Sequence, residues 1–379
     1  MLDLLDEAIG GWLPLTLRDR ALLWLVRSYD LAALRQRALS LRKWAPAAAA
    51  AALALAVSTS AGPDETASLP VFAPAPEVLP APREVWLAEK NGHVELYSNG
   101  LQISDEFLAS GRPRSYRALP ESAELDDEAA WRRAPVETKP AGLVYHATVS
   151  EVAPPFKAEH REGVTRHGRL LLRYAAERRL YNFIIDRFGR AFRLISEDQT
   201  AGHAGWSLWT GGGRRYFNLN DSFVGIACET RPEASDPEAP FEESVTQAQV
   251  ATLKLLTEML RNRYDIPAEN CVPHEVVSVN PSNYLIGYHT DWAGRFPFSE
   301  VGLPDNYQLP PPSVADWGFE YDDLLAAKVG GKVWPGVARA EEIFRRKAAE
   351  SGRSANERRR ELRNVYRRLL KRLRQRPAS

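Results

Sequence analysis

Cysteine is almost missing from this 379-residue chain: Cys228 and Cys271 are the only two. Two thiols exclude a disulfide-stapled scaffold and any zinc site made of four cysteines, and alone they leave the redox compartment open. A metal site here must be built mainly from histidine and carboxylate. Net charge is missing too, with 49 Lys/Arg against 49 Asp/Glu, so whole-chain attraction to nucleic acid is not indicated and no nucleic-acid partner is expected. The alanine-rich apolar stretch Trp44 to Val57 is shorter than the ~20 residues of a standard membrane span and is interrupted by Pro46. No His-Glu-x-x-His motif occurs. What remains, 44% hydrophobic and 26% charged residues, is enough for a packed core and excludes a wholly disordered chain.

The charge balance conceals an asymmetry. From Tyr321 to Ser379 there are 17 Lys/Arg against 7 Asp/Glu, so the basic charge belongs to the C-terminal end. Residues 1–43 carry leucine and arginine at helix-compatible spacing and end in Arg42-Lys43. Residues 44–61 follow with an apolar run closed by Thr59-Ser60-Ala61, the order of parts in a secretory signal or anchor; an alanine-rich hinge or buried helix is the other reading. Six prolines between Gly62 and Arg83 make residues 62–84 an extended linker. Residues 85–139 form a small β appendage and connector, with alternating apolar residues around Asn99-Gly100 signalling a hairpin.

From Pro140 the signals strengthen. Leu143 to Ala147 is strand-like, Tyr181 to Asp186 and Ala191 to Ile195 flank Phe188-Gly189 as a hairpin, and His167 to Arg179 is a helix. Phe223 to Cys228 is a continuous apolar run of central-strand type. Thr246-Gln247-Ala248-Gln249 fits the capping box, and Val250, Leu253, Leu256 and Leu260 share one face of the helix it opens, which Pro267 ends. Alternating strands and helices imply an α/β or α+β layer structure over residues 140–312. Residues 313–379 are helical and basic. Asn364 to Arg376 is amphipathic, either packed on its own domain or touching an anionic surface.

Of seven histidines, His146 closes a buried strand, His274 follows the strand-like Cys271-Val272-Pro273, and His289 stands two residues before Asp291. Two imidazoles and one carboxylate leave zinc a fourth position for water, as a catalytic site requires. Their spacing, 128 and 17 residues, is equally compatible with unrelated core and surface histidines.

Six ordered segments go further: Leu143-Val144-Tyr145-His146-Ala147-Thr148, Tyr181 to Gly189, Ala201-Gly202-His203-Ala204-Gly205, Val224-Gly225-Ile226, Val272-Pro273-His274 and Thr290-Asp291. Together they make residues 140–300 resemble the zinc-dependent N-acetylmuramoyl-L-alanine amidases of the amidase-2 group, whose fold is shared with the peptidoglycan recognition proteins. The resemblance implies an α/β fold with a mixed β-sheet flanked by helices, here with helical N- and C-terminal extensions. It implies Zn2+ held by His146, His274 and Asp291, and Tyr181 facing the metal as a catalytic residue. The implied reaction cuts the amide joining N-acetylmuramic acid to L-alanine in peptidoglycan or muropeptides, which places the protein in the cell envelope, periplasmic or extracytoplasmic. A non-catalytic peptidoglycan-binding module of the same fold is the alternative.

The chain departs from that pattern at three places. Ala227 stands where some members have a catalytic glutamate; Glu229, on the same strand face by alternation, is the substitute candidate or else a strand-end carboxylate. His289 stands where a lysine is common and is assigned a catalytic, oxyanion-donating role. Asp291-Trp292-Ala293 replaces Asp-Pro-Gly. His203 is expected to contact substrate or to anchor its glycine-flanked loop, and Trp206 and Trp209 to stack on a sugar face or to act as packing lids.

Overall fold

The computed structural model describes residues 84–125, 127–148, 158–230, 245–289, 291–292, 294–321, 323–328 and 333–374. The helical region, apolar segment and linker expected over residues 1–83 lie outside them, as does Thr290. Among the described residues, no helix is long and apolar enough to cross a membrane.

The apolar run Phe223–Cys228 forms the central strand, and all six of its residues are buried, as expected of a strand covered on both faces. We number the strands of the main sheet β1 (Leu87–Asn91), β2 (Val94–Tyr97), β3 (Gln102–Ser104), β4 (Gly142–Ala147), β5 (Phe183–Ile185), β6 (Ala191–Arg193), β7 (Phe223–Cys228) and β8 (Cys271–Pro273). The spatial order is β1-β2-β3-β6-β5-β7-β4-β8. Strands β5, β7, β4 and β8 run parallel, β6 is antiparallel to β5, and β3 is parallel to β6. The sheet is therefore mixed, as the α/β reading requires.

Two long helices cover its faces. Helix α1 (Arg161–Arg178) packs Leu172, Ala175 and Ala176 against Ile184 and Ala227. It begins before the expected His167. Gly163 and Gly168 weaken the helical signal there, but the latter is buried over the sheet, with Glu229 Oε2 3.3 Å from where its Cβ would stand. On the other face lies α2 (Gln247–Tyr264), opened by the full Thr246/Gln249 capping box and closed by Asp265 in the left-handed conformation. Its Thr257 hydroxyl meets the Tyr145 hydroxyl at 2.9 Å.

The expected β appendage is a continuation of the main sheet. Strands β1 to β3 form a meander, turning first at Gly92 and then around Asn99-Gly100, and β3 pairs with β6. Burial explains the fusion: Leu101 and Ile103 are core residues, and Glu95 of β2 pairs with Arg193 of β6 at 2.7 Å in a buried site. Nor is the C-terminal region separate. Helices α3 (Pro335–Glu350) and α4 (Ala355–Arg374) bring Val337, Ala340, Tyr366 and Leu369 into the same core as the sheet. The amphipathic pattern read over Asn364 to Arg376 is this packed face as far as Leu373, beyond which it leaves the residues whose packing is described. Arg359 reaches Glu341 at 2.6 Å and Arg363 reaches Glu320 at 2.8 Å, so part of the basic charge is neutralised locally.

Candidate metal centre

Strand alternation sends Tyr145 of β4 towards α2 and its neighbour His146 to the α1 face, beside Ala227 of β7 in register. His274 follows Pro273 at the end of the adjacent strand β8. Asp291 arrives from a loop after Gly287 that two buried contacts fasten. Glu275, next to His274, accepts the backbone N–H of Trp292 at 2.7 Å and of Gly294 at 3.0 Å, and also the Tyr307 hydroxyl. The Trp292 indole N–H donates to the Tyr145 carbonyl at 3.0 Å. Tyr145, beside His146, and Glu275, beside His274, therefore both grip the carboxylate loop.

The three side chains converge. One ligand atom from each of His146, His274 and Asp291 lies within 4.8 Å of the others, and Asp291 Oδ2 stands 3.1 Å from His146 Nδ1 and 3.2 Å from His274 Nδ1. His146 is 1% exposed. Burial, then the neighbouring His274, pushes its imidazole down to about 4, so it is neutral near pH 7, the state a metal ligand needs. Burial works against ionisation of Asp291, but the adjoining His274 and then His146 outweigh it and hold the carboxyl well below the usual range. Two imidazoles and one carboxylate on a partly open side fit a divalent cation with nitrogen and oxygen ligands.

Around this group the other expected residues take distinct places. The Tyr181 ring lies 5.2 Å from that of His146. Burial, followed by the Asp291 charge, raises its hydroxyl above the ordinary tyrosine value, which keeps the O–H as a donor. The exposed His289 stacks on His274 with ring centroids 4.8 Å apart, and its backbone N–H donates to the Ser278 hydroxyl.

Glu229 does lie on the His146 face of β7, but beneath α1, not in the open centre. It is 1% exposed, its Oε2 accepts the Arg187 amide at 3.0 Å, and its Oε1 has no hydrogen-bond partner among the described residues. Burial pushes this carboxyl up to about 7, against the pull of the Arg187 amide. Trp209 is a packing residue, buried with its indole N–H on Asn270 at 3.0 Å. Trp206 is half-buried, and its carbonyl faces the Tyr366 hydroxyl. His203, expected to contact substrate or to anchor its loop, is 8% exposed and stands behind His146, its Nδ1 3.1 Å from His146 Nε2.

Sequence reasoning missed Glu275, Trp292 and Asn220. Asn220 Oδ1 accepts the amides of His203, Ala204 and Gly205 and so holds that loop. The adjacency of Glu275 to His274 and the presence of a tryptophan in place of proline after Asp291 were the available signals.

The chain is similar in sequence to known proteins. The model of the amidase-2 family, described as N-acetylmuramoyl-L-alanine amidase, matches residues 136–294. The N-acetylmuramoyl-L-alanine amidase AmiD of Escherichia coli K12 is 34% identical over 85 residues, which are 22% of this chain and 29% of that protein. The chain thus spans less than a third of that relative. Among solved structures, AmiD from E. coli in complex with the substrate anhydro-N-acetylmuramic acid-L-Ala-D-gamma-Glu-L-Lys aligns at 21% identity over 46% of this chain and 61% of that one, with a TM-score of 0.32. AMPDH3 from Pseudomonas aeruginosa, in complex with anhydromuramic pentapeptide, aligns at 22% identity over 50% and 80%, also with a TM-score of 0.32.

Proposed function

We propose that this chain, which carries an amidase-2 domain over residues 136–294, is a zinc-dependent N-acetylmuramoyl-L-alanine amidase acting on peptidoglycan or muropeptides in the cell envelope. The observation that carries the proposal is the convergence of His146, His274 and Asp291, 128 and 17 residues apart in sequence, within 4.8 Å. When bound, zinc supplies a nucleophile from water near neutral pH and Lewis-acid polarisation of the scissile carbonyl.

The chain's own residues supply the rest. His146 and His274 present ring nitrogens and Asp291 the anionic oxygen, so the protein offsets part of a dication's charge and leaves the remainder for the reacting carbonyl. Tyr181 holds its proton and donates to the oxygen that gains negative charge. His289, at the exposed edge, adds a second donor. The partly open face of Trp206 offers a stacking surface for sugar, and Glu275, by holding the amides of Trp292 and Gly294, steadies Asp291.

A second reading follows from Ala227. It lies in register with His146 and has no side chain that moves a proton, and Glu229 is covered by α1; this favours a module that binds muropeptide without turning it over. Incubating the full chain with intact sacculi, first with zinc and then with chelator, separates the two. Chelator-sensitive release of peptide amino groups supports the amidase, and wall binding without release supports the module.

The outward side of α4, where Arg360, Arg367 and Lys371 are exposed, is the proposed contact for an anionic surface. Replacing all three by glutamate should weaken sedimentation with anionic vesicles; unchanged sedimentation sinks that contact.

A further inference from the structure

We infer that His203 is a positioning residue of the metal centre, its ring backing His146 and selecting which nitrogen of that ligand faces the site. This rests on the assignment of His146, His274 and Asp291 as ligands. His203 lies far from all three in the sequence and is brought to them by the fold alone.

His146 uses its two nitrogens in opposite directions. Nδ1 points to Asp291, and Nε2 points into the protein at His203 Nδ1, 3.1 Å away. The other nitrogen of His203, Nε2, stands 3.3 Å from the backbone carbonyl of Phe223, which can only accept. A neutral imidazole carries one N–H. If that proton is on Nε2, facing the carbonyl, then Nδ1 of His203 is an acceptor and His146 Nε2–H must be the donor. Nδ1 of His146 is left with its lone pair turned to the centre. A ligating histidine whose second nitrogen is held in this way keeps both its tautomer and its ring angle.

The surroundings are shaped for this arrangement. Gly225 of β7 lies under the His203 ring, and a Cβ there would come within 2.4 Å of His203 Cγ, so glycine is needed for the ring to lie flat on the strand. The two rings meet edge to face at 5.2 Å between centroids. Asn220 grips three consecutive amides of the His203 loop. With 8% exposure, His203 is sealed from any substrate approaching the open side.

The test compares three variants of the full chain by zinc affinity, measured in competition with a chromogenic chelator, and by the visible spectrum of the cobalt-substituted protein. His203→Phe keeps the ring volume and loses the acceptor; it should weaken zinc binding by roughly 10- to 100-fold and change the cobalt bands. His203→Asn places an amide oxygen near the former Nδ1 and should recover most of both signals. Gly225→Ala displaces the ring without altering its chemistry and should copy His203→Phe. Wild-type affinity and spectrum in a folded His203→Phe protein overturn the inference, and so does an Asn variant no better than Phe. If the wild-type protein itself binds no stoichiometric zinc, the ligand assignment fails first, a result that is distinct from either.

Discussion

The indole N–H of Trp292 donates to the carbonyl of Tyr145 at 3.0 Å, so the loop delivering Asp291 is bolted to the strand delivering His146. Proline, usual after this carboxylate in the resembling family, has no N–H to give. Trp292→Phe keeps an aromatic ring against Phe296, now 5.0 Å away, and deletes only the donor. The expected cost is about 1 kcal/mol of stability, read as a lower urea midpoint, together with weaker zinc binding. A variant with unchanged zinc affinity would separate the loop anchor from the centre.

Removing a ligand should act on metal and turnover together. His274→Ala is expected to lose stoichiometric zinc and amide hydrolysis at once, measured by metal analysis after dialysis and by amino-group release from sacculi. A variant that keeps both rules out the assigned set.

Tyr181 should act on rate alone. Its hydroxyl stays protonated and its ring lies 5.2 Å from that of His146, so Tyr181→Phe is expected to retain zinc and folding while slowing hydrolysis by roughly 100- to 1,000-fold, the usual cost of one oxyanion donor. An unaltered rate removes this tyrosine from the mechanism.

Glu229 offers a pH signature. Burial raises its carboxyl from 4.5 to about 7 in the folded chain, so folding favours the protonated form. Its contribution to stability is complete below pH 4.5 and is lost as pH rises through 7, a difference on the order of 3 kcal/mol. Glu229→Gln, which cannot ionise, should flatten that part of the profile in metal-free protein denatured by urea at pH 5 and pH 8. Parallel profiles for the two proteins would contradict the assignment.

Much of the sheet was legible because its signals are local. A six-residue apolar run reads as a central strand, and Thr246 with Gln249 announces a helix start without reference to anything distant. The ligand trio was legible only through resemblance, since no spacing rule connects residues 128 positions apart. What stayed hidden depends on tertiary contacts. His203 read as a substrate contact or a loop anchor, and its flanking glycines do not choose between them; the missing Cβ of Gly225 is what makes room for its ring. Strands β1 to β3 resembled an appendage because a meander is a local pattern, whereas its pairing with β6 depends on the Glu95 and Arg193 pair across the sheet. Glu275 carried no motif at all; its role appears only when the amides of Trp292 and Gly294 come to it.

The C-terminal helices have a practical consequence. Tyr366 packs against Trp317 and Phe319 and turns its hydroxyl towards the backbone of Trp206, so the strongly cationic end is also a wedge driven into greasy ground. Cutting the chain after Pro312 to isolate a minimal hydrolase would uncover those rings and release the flank of the His203 loop. Such a fragment should precipitate on purification, and whatever survives should hold zinc poorly.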